Sequence, residues 1–313
     1  SIKKNVVVYS DKVLPSEYQN SGRFIFGGKV LLNMHKHLKV GDILNFGTGF
    51  SEVMKSFLLY LDEEGVSDFI QKIDSYVDAP EKLHQDYPDF FSDKKDVSAR
   101  KTIMAIRKRI RHLIDEGKGL HSKSSDLVEK IFEYLKQGKT VIVDLSLKDN
   151  MDASIISTIL VRILFDNNKE NFTSDKPENI VNAVIFVEEA QNVLSEEFVK
   201  SNANPFVRVA KEGRKFGLGL VAITQRPSAI SEEIRTQAEN FFAFHMGNSD
   251  DINALIKSNI NYDGVIASFI QRETIPGNLY MVSSDQAFAL PIRVNEFESM
   301  IENKVYPQSR LKR

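Results

Sequence analysis

Two short stretches carry residue types able to do chemistry. Residues 183–187, AVIFV, form an unbroken apolar run that is followed at once by Glu188 and Glu189. Residues 220–224, LVAIT, form a second apolar run followed by Gln225 and Arg226. Both runs are short and rich in β-branched residues, which predicts buried strands. In open α/β sheets, ligands sit at the carboxyl ends of the strands. Two carboxylates at one tip and an amide at a neighbouring tip can hold a metal ion and a water. Charges placed directly after an apolar strand are costly unless they are paired or used. The competing reading is that the two glutamates only open a loop or a helix N-terminus, where negative charge is favoured.

A third stretch, Gly138-Lys139-Thr140, matches the end of a phosphate-gripping G-x-x-x-x-G-K-[ST] loop. Such a loop follows a strand and opens a helix, so that backbone N–H groups face the phosphates. Here the first glycine position holds Glu133, and the context is reversed. Leu127, Ile131 and Leu135 are spaced by four before it, and TVIVDLS follows it. A helix stopping at a left-handed Gly138 and then a strand is the better reading. Gly28-Lys29 and Gly117-Lys118 fail the same pattern, and NFGTGFSE at 45–52 has glycines with no lysine after them. These 313 residues contain no phosphate loop of this type.

The elements that must position the candidate residues can be read around them. NVVVY (5–9) predicts a strand, and SEVMKSFLLYLDEEG (51–65) a helix capped by Ser51, with Val53, Phe57, Leu58 and Leu61 on one side. Residues 62–137 read as almost wholly helical, a bundle or insertion with one loop rich in Asp and Pro. From 140 onward apolar strands alternate with helices. TVIVDLS, AVIFV, LGLVAIT and FFAFHM (241–246) predict strands, ASIISTILVRILFDN and NPFVRVAKEGRKFG predict helices, and NLYMV and FALPIRV close the sheet. This alternation predicts an α/β fold with a mainly parallel sheet covered on both faces. Gly217 is placed to stop the second of these helices, and Pro205 to start it. The tail PQSRLKR reads as loose.

Composition narrows the function classes. Apolar residues are 42% and charged residues 27%, enough for a sizeable core. There is no cysteine, which excludes disulfides and thiolate metal sites. No run of eighteen apolar residues suggests a membrane span, and no signal peptide is recognisable, so a cytoplasmic protein is expected. The net charge is −2, so nucleic-acid binding requires local positive charge or an encircling oligomer. Local charge exists. RKTIMAIRKRIRH (100–112) is a basic helix with Ile103, Ile106 and Ile110 on one side; its other face can meet DNA phosphates or a partner, or be merely solvated. Arg208, Lys211 and Lys215 fall on related helix faces and suit a subunit interface, a pore or a solvated surface. His35 and His37 share a face if their stretch is extended, but no third metal ligand is near in sequence.

VIFVEEAQNVL, VAKEGRKFGLGLVAITQRPSAISEEI and FFAFHMGNSDDINAL, in this order and spacing, resemble the HerA family of hexameric DNA translocases, within the HerA–FtsK group of RecA-like ATPases. The resemblance runs from about 139 to 294 and is most specific over 184–230; VIVDLSLKDNMDASIISTILVRILF fits the strand and helix before the family's Walker B strand. Residues 62–137 resemble more loosely the helical bundle inserted in that core, and VVVYSDKVLP the region after its first helix. The implied organisation is residues 1–61 as the first part of a RecA-like core, 62–137 as the insertion and 138–313 as the rest of the core. The family's Walker A loop lies upstream of a segment like residues 1–15. The expectation is therefore a C-terminal portion of a longer protein, which alone binds ATP poorly.

The resemblance also implies roles. Glu188 takes the position of the Walker B acid that holds Mg²⁺, directly or through water. Glu189 takes that of the general base polarising the attacking water. Gln225 matches the sensor of the γ-phosphate. Arg214, in KEGRKFG, matches the arginine that reaches a neighbouring subunit's ATP, with Arg226 a second candidate. The cofactors implied are ATP and Mg²⁺, and the partners are DNA, five further copies in a homo-hexamer and a nuclease or other effector. Two alternatives remain: a membrane-linked DNA-pumping or secretion-coupling ATPase of the same fold, and, from a different class, a catalytically silent module that scaffolds a partner enzyme.

Overall fold

The structure is a computed structural model describing residues 5–13, 24–46, 50–63, 65–66, 68–79, 81–91, 97–199, 204–286 and 288–296, with backbone alone at 45 and 46. The tail at 307–313, residues 47–49 of the 45–52 glycine stretch and part of the Asp- and Pro-rich loop lie outside the described residues. The chain divides into two compact units, Ser1–Ile185 with Ser201–Val221, and Phe186–Lys200 with Ala222–Arg313.

In the first unit, β1 (Val6–Ser10) is the centre of a parallel sheet of order β2-β1-β3, with β2 at Ile25–Gly28 and β3 at Thr140–Asp144. Val6 sits opposite Thr140 and Ser10 opposite Asp144. Between β2 and β3 the chain is helical: α1 (Glu52–Glu63), α2 (Phe69–Asp78), α3 (Val97–Ile114) and α4 (Leu127–Lys136) are its longer helices. Their three- and four-residue apolar spacing is what makes them pack. Phe57, Leu58 and Leu61 of α1, Ile70 and Ile73 of α2, and Ile103, Ile106 and Ile110 of α3 are all buried. Val53 departs from the predicted stripe and is exposed, because it lies a turn before the part of α1 that is covered. The Phe57 ring meets Tyr87 and Phe91 nearly edge-on, with centroids 5.1 and 5.3 Å apart.

Gly138 stands at φ +71°, two residues past the end of α4 and two before β3. It ends a helix and leads into a strand, the reverse of the order a phosphate-gripping loop needs. The 34–37 stretch forms one helical turn, Met34–His37, not a strand, so His35 and His37 do not share a strand face. Asn33 caps that turn, accepting from Lys36 N. His35 instead pairs with Asp68 at 3.0 Å.

The long helix α5 (Asn150–Thr173) organises the strands that carry the candidate site. Asp149 caps its start, accepting from Asp152 N at 2.8 Å. Arg162 makes a buried two-pronged ion pair with Asp42, its Nε donating to Oδ1 at 2.9 Å and its Nη2 to Oδ2 at 2.8 Å. Asp166 accepts from Arg208 at 3.1 Å, and the Arg208 guanidinium lies 4.2 Å from the Phe165 ring centroid. Arg208 is therefore engaged within its own unit, and the pore or interface role considered for it gains no support.

Asn168, one turn further along α5, is fully buried. Its Nδ2 donates to the carbonyls of Val181 and Phe216, both at 2.8 Å, and its Oδ1 accepts from Val181 N at 3.0 Å. Val181 precedes β4 (Ala183–Val187), and Phe216 precedes β5 (Leu218–Ala222), so one side chain fixes where both strands begin. Asn168→Leu keeps the size but strands two carbonyls and an N–H in the interior. The expected cost is about 3 kcal/mol or more, read as a lower urea midpoint with an unchanged m-value. Between Asn168 and β5 lies α6 (Pro205–Glu212), with Pro205 in its first turn and Asn204 capping it. A tight turn at Gly213–Phe216 follows, and Gly217 at φ +72° ends it. The left-handed φ disfavours any side chain at Gly217, and a Cβ there would also come within 2.3 Å of Asn182 Oδ1 and force it to move.

β4 and β5 pair side by side. Ala183 N donates to Gly217 O at the start and Ile223 N to Val187 O at the end, so the two run in the same direction. Their pairing agrees with the predicted parallel arrangement; their burial does not. Val184, Phe186 and Ile223 are exposed, Phe186 by 67%, as is Ile142 of β3. No described residues bury these side chains, so the expected cover on both faces is missing there.

In the second unit, β6 (Asn240–Ala243), β7 (Asn278–Ser283) and β8 (Leu290–Arg293) form an antiparallel sheet in that order. FFAFHM was expected to extend a parallel sheet; instead Phe241 sits opposite Val282 in an antiparallel ladder. Alternating apolar residues mark a strand but not the direction of its partner. Helices α7 (Ser249–Ser258) and α8 (Val265–Arg272) contribute to the core beside this sheet, where Ile252, Leu255, Ile270 and Val282 surround Tyr262. The buried Tyr262 hydroxyl donates to Tyr280 O at 2.9 Å.

Candidate functional site

Glu188 and Glu189 follow β4 directly and are exposed, as are Gln225 and Arg226 after β5. Backbone bonds hold the two tips against each other. Ile223 N donates to Val187 O at 2.9 Å, and Ala190 N donates to Ile223 O at 3.0 Å. The carboxylates are thus placed by a ladder, not by a free loop.

A side-chain chain then crosses the tips. Gln191 Nε2 donates to Glu189 Oε2 at 2.6 Å, and Gln191 Oε1 accepts from Thr224 Oγ1 at 2.6 Å. Thr224 Oγ1 in turn accepts from Arg226 N at 3.0 Å. One glutamine fixes one oxygen of Glu189 and ties it to the residue preceding Gln225. Sequence reading missed Gln191 and Thr224; their only signal was nearness to the acids and the amide. Glu189 also has φ +48°, a left-handed conformation rare for a residue with a side chain. Backbone strain of this kind clusters at functional positions.

The oxygen-rich, exposed tip suits a hard divalent cation. Mg²⁺ binds through one or two carboxylates and completes its shell with waters and phosphate oxygens. Among the described residues, no group of three or more His, Cys, Asp or Glu side chains forms a self-sufficient metal cage. A pair of acids able to share a cation with a nucleotide fits that chemistry. Arg214 belongs to the first unit, in the turn Gly213–Phe216, and is exposed. β5 runs between Arg214 and Gln225 in the chain.

A second strand-tip cluster went unread. Ser10 Oγ, at the end of β1, donates to Asp144 Oδ2 at the end of β3 at 2.9 Å, and Lys12 Nζ lies 3.2 Å from the same carboxylate. Partial burial opposes ionisation of Asp144. The Ser146 hydroxyl and backbone N–H, then Ser10 and Lys12, outweigh it and hold the carboxyl well below its ordinary range. Asp11 pairs with Lys148 at 2.6 Å. TVIVD is also an apolar strand ending in an acid, so the rule that singled out Glu188 applied here too. Every charge in this cluster has a partner in the cluster, which makes it a clasp between β1 and β3.

The model of the family described as zonular occludens toxin (Zot) matches residues 101–250. The chain is 28% identical over 185 residues to the DNA double-strand break repair helicase HerA of Saccharolobus solfataricus, covering 57% of this chain and 35% of that protein. It is 26% identical over 179 residues to the HerA helicase of Sulfurisphaera tokodaii, with the same shares covered. The chain thus spans about a third of the length of these relatives. The structure of VirB4 from Thermoanaerobacter pseudethanolicus superposes with a TM-score of 0.58 at 11% identity, over 95% of this chain and 83% of that one. The resemblance to HerA is thus a sequence relationship, and the α/β fold, with parallel strands flanked by helices, is shared with VirB4. No helix among the described residues is long and apolar enough to cross a membrane.

Proposed function

We propose that this chain supplies the catalytic-acid part of a HerA-type ATPase that moves double-stranded DNA, with ATP bound between the subunits of a homo-hexamer. The observation that carries the reading is the hydrogen-bonded chain from Glu189 through Gln191 to Thr224, across two parallel strand tips. Glu188 is the residue that would hold Mg²⁺, directly or through water. Bound there with the nucleotide, the ion would neutralise charge on the phosphates.

Glu189 Oε2 is occupied by Gln191, so Oε1 is the atom assigned to take the proton of the attacking water. Gln225, following Thr224, feels the γ-phosphate. Arg214, with β5 between it and Gln225, serves a neighbouring subunit's nucleotide, with Arg226 as the second candidate. Residues 62–137 act as a helical insertion in the core. No phosphate loop occurs in these 313 residues, so the cradle for the nucleotide's phosphates comes from other residues. A nuclease or other effector is the partner class this reading implies, in a cytoplasmic setting.

The test is ATP hydrolysis by the whole protein with and without duplex DNA. Stimulation by DNA is expected. Arg214→Ala is expected to lower turnover by about 1000-fold or more, the scale of an arginine supplied in trans, while leaving ring assembly in place by light scattering. A whole protein that hydrolyses no ATP with DNA present would overturn the reading.

A further inference from the structure

Helix α3 carries a charge pattern that the strand-tip chemistry leaves unexplained. Over Val97–Ile114 it has Arg100, Lys101, Arg107, Lys108, Arg109 and Arg111, and no acid, in a chain whose net charge is −2. At about 100° per residue, Arg100, Lys101, Met104, Lys108, Arg111 and His112 fall within an arc of roughly 120°. All six are exposed, and the opposite side holds buried Ile103, Ile106 and Ile110. The row from Arg100 to Arg111 is about 16 Å long, at 1.5 Å per residue.

The charges facing this arc decide how much of it is available. Arg107 at its edge turns to Asp74 of α2. Arg109 lies on another side, with its guanidinium 5.8 Å from the Phe50 ring centroid. At the far end Arg111 stands 3.9 Å from Asp115, and His112 2.8 Å from Asp152. Arg100, Lys101 and Lys108 have no carboxylate partner among the described residues, which leaves three uncompensated cations on one face.

We propose that this face of α3 binds the sugar-phosphate backbone of duplex DNA, as a contact separate from the ATP site. The proposal rests on the DNA-moving function above and names where part of that DNA is held. Duplex DNA presents one negative charge per roughly 1.7 Å of axis, and the partnerless cations stand at two places along the row, Arg100 with Lys101 and then Lys108 about 10 Å further on. Phosphate contacts carry no direct sequence information, so binding through this face is indifferent to sequence. A membrane surface is a poorer occupant. A surface-bound amphipathic helix must insert its apolar side, and that side of α3 is already buried in the protein.

The experiment compares the full chain with R100Q/K101Q/K108Q and with the charge-preserving R100K/K101R/K108R. Binding to a fluorescein-labelled DNA duplex is followed by anisotropy between about 50 and 200 mM salt. Circular dichroism checks that all three fold. Neutralisation is expected to flatten the log–log salt slope by about 2.7 and to weaken binding about 10-fold or more at low salt. The charge-preserving variant is expected to match the wild type. If the wild type binds and the neutralised variant keeps the full slope, the surface assignment falls while the proposed function stands. Loss of binding to vesicles rich in phosphatidylserine, with duplex binding unchanged, overturns it in favour of a membrane surface. DNA-stimulated ATP hydrolysis by the whole protein, measured alongside, decides the underlying function independently.

Discussion

Glutamine at position 189 is expected to reduce ATP turnover by the whole protein at least about 100-fold, the lower range for loss of a general base. The substitution is close to isosteric. Its amide oxygen can still accept from Gln191 Nε2, so the link to Thr224 survives. What disappears is the basic oxygen able to take a proton from water. Because Glu189 is exposed, the change should leave the unfolding midpoint nearly unmoved. Nucleotide affinity should persist, since Glu188 keeps its charge. Single-turnover hydrolysis beside equilibrium nucleotide binding separates these effects. Full turnover in Glu189→Gln would remove the residue from the catalytic role and leave Glu188 to be tested in its place.

Asp42→Ala is expected to destabilise the first unit by about 3–5 kcal/mol, the scale for a buried ion pair that loses one partner. The side chains of Arg162 and Asp42 are only 10% and 3% exposed, and their contact is bidentate. Alanine leaves a guanidinium in the interior with Asp166 3.9 Å away as its remaining carboxylate. Replacing both partners with apolar residues, Asp42→Leu with Arg162→Met, should recover most of the loss, because the cost lies in the orphaned charge. Urea denaturation of the single and double variants measures the difference. If the single variant loses less than about 1 kcal/mol, water or Asp166 compensates the charge and the interior is wetter than its burial indicates.

The sequence was most legible where one residue type has one local job. Gly138 and Gly217 were recognisable as left-handed stops because few other residues end a helix that way. The isoleucines of α3 declared its buried side by spacing alone. That Glu188 and Glu189, and then Gln225, stand at strand tips was legible because each follows an apolar run of strand length. Long-range partners were not legible. Asp42 meets Arg162 across 120 positions, and Asn168 reaches backbone at 181 and 216. Nothing in local spacing selects those pairs. Gln191 was overlooked because its value depends on a side-chain conformation spanning two strands. The direction of β6 was misjudged because a period of two is common to both ladder types. Exposure of Val184 and Phe186 was invisible for a similar reason, since apolar residues report a tendency to be covered and not what covers them.

The left-handed backbone at Glu189 bears on how copies of this gene would age. Glycine or asparagine would occupy that position with less of a conformational penalty of order 1–3 kcal/mol. Mutation therefore drifts toward them once selection for turnover relaxes, because the sturdier sequence is the one without the acid. An acid kept at this position across a lineage would mark copies in which the carboxylate itself is still used, and glycine there descendants retained for some other purpose.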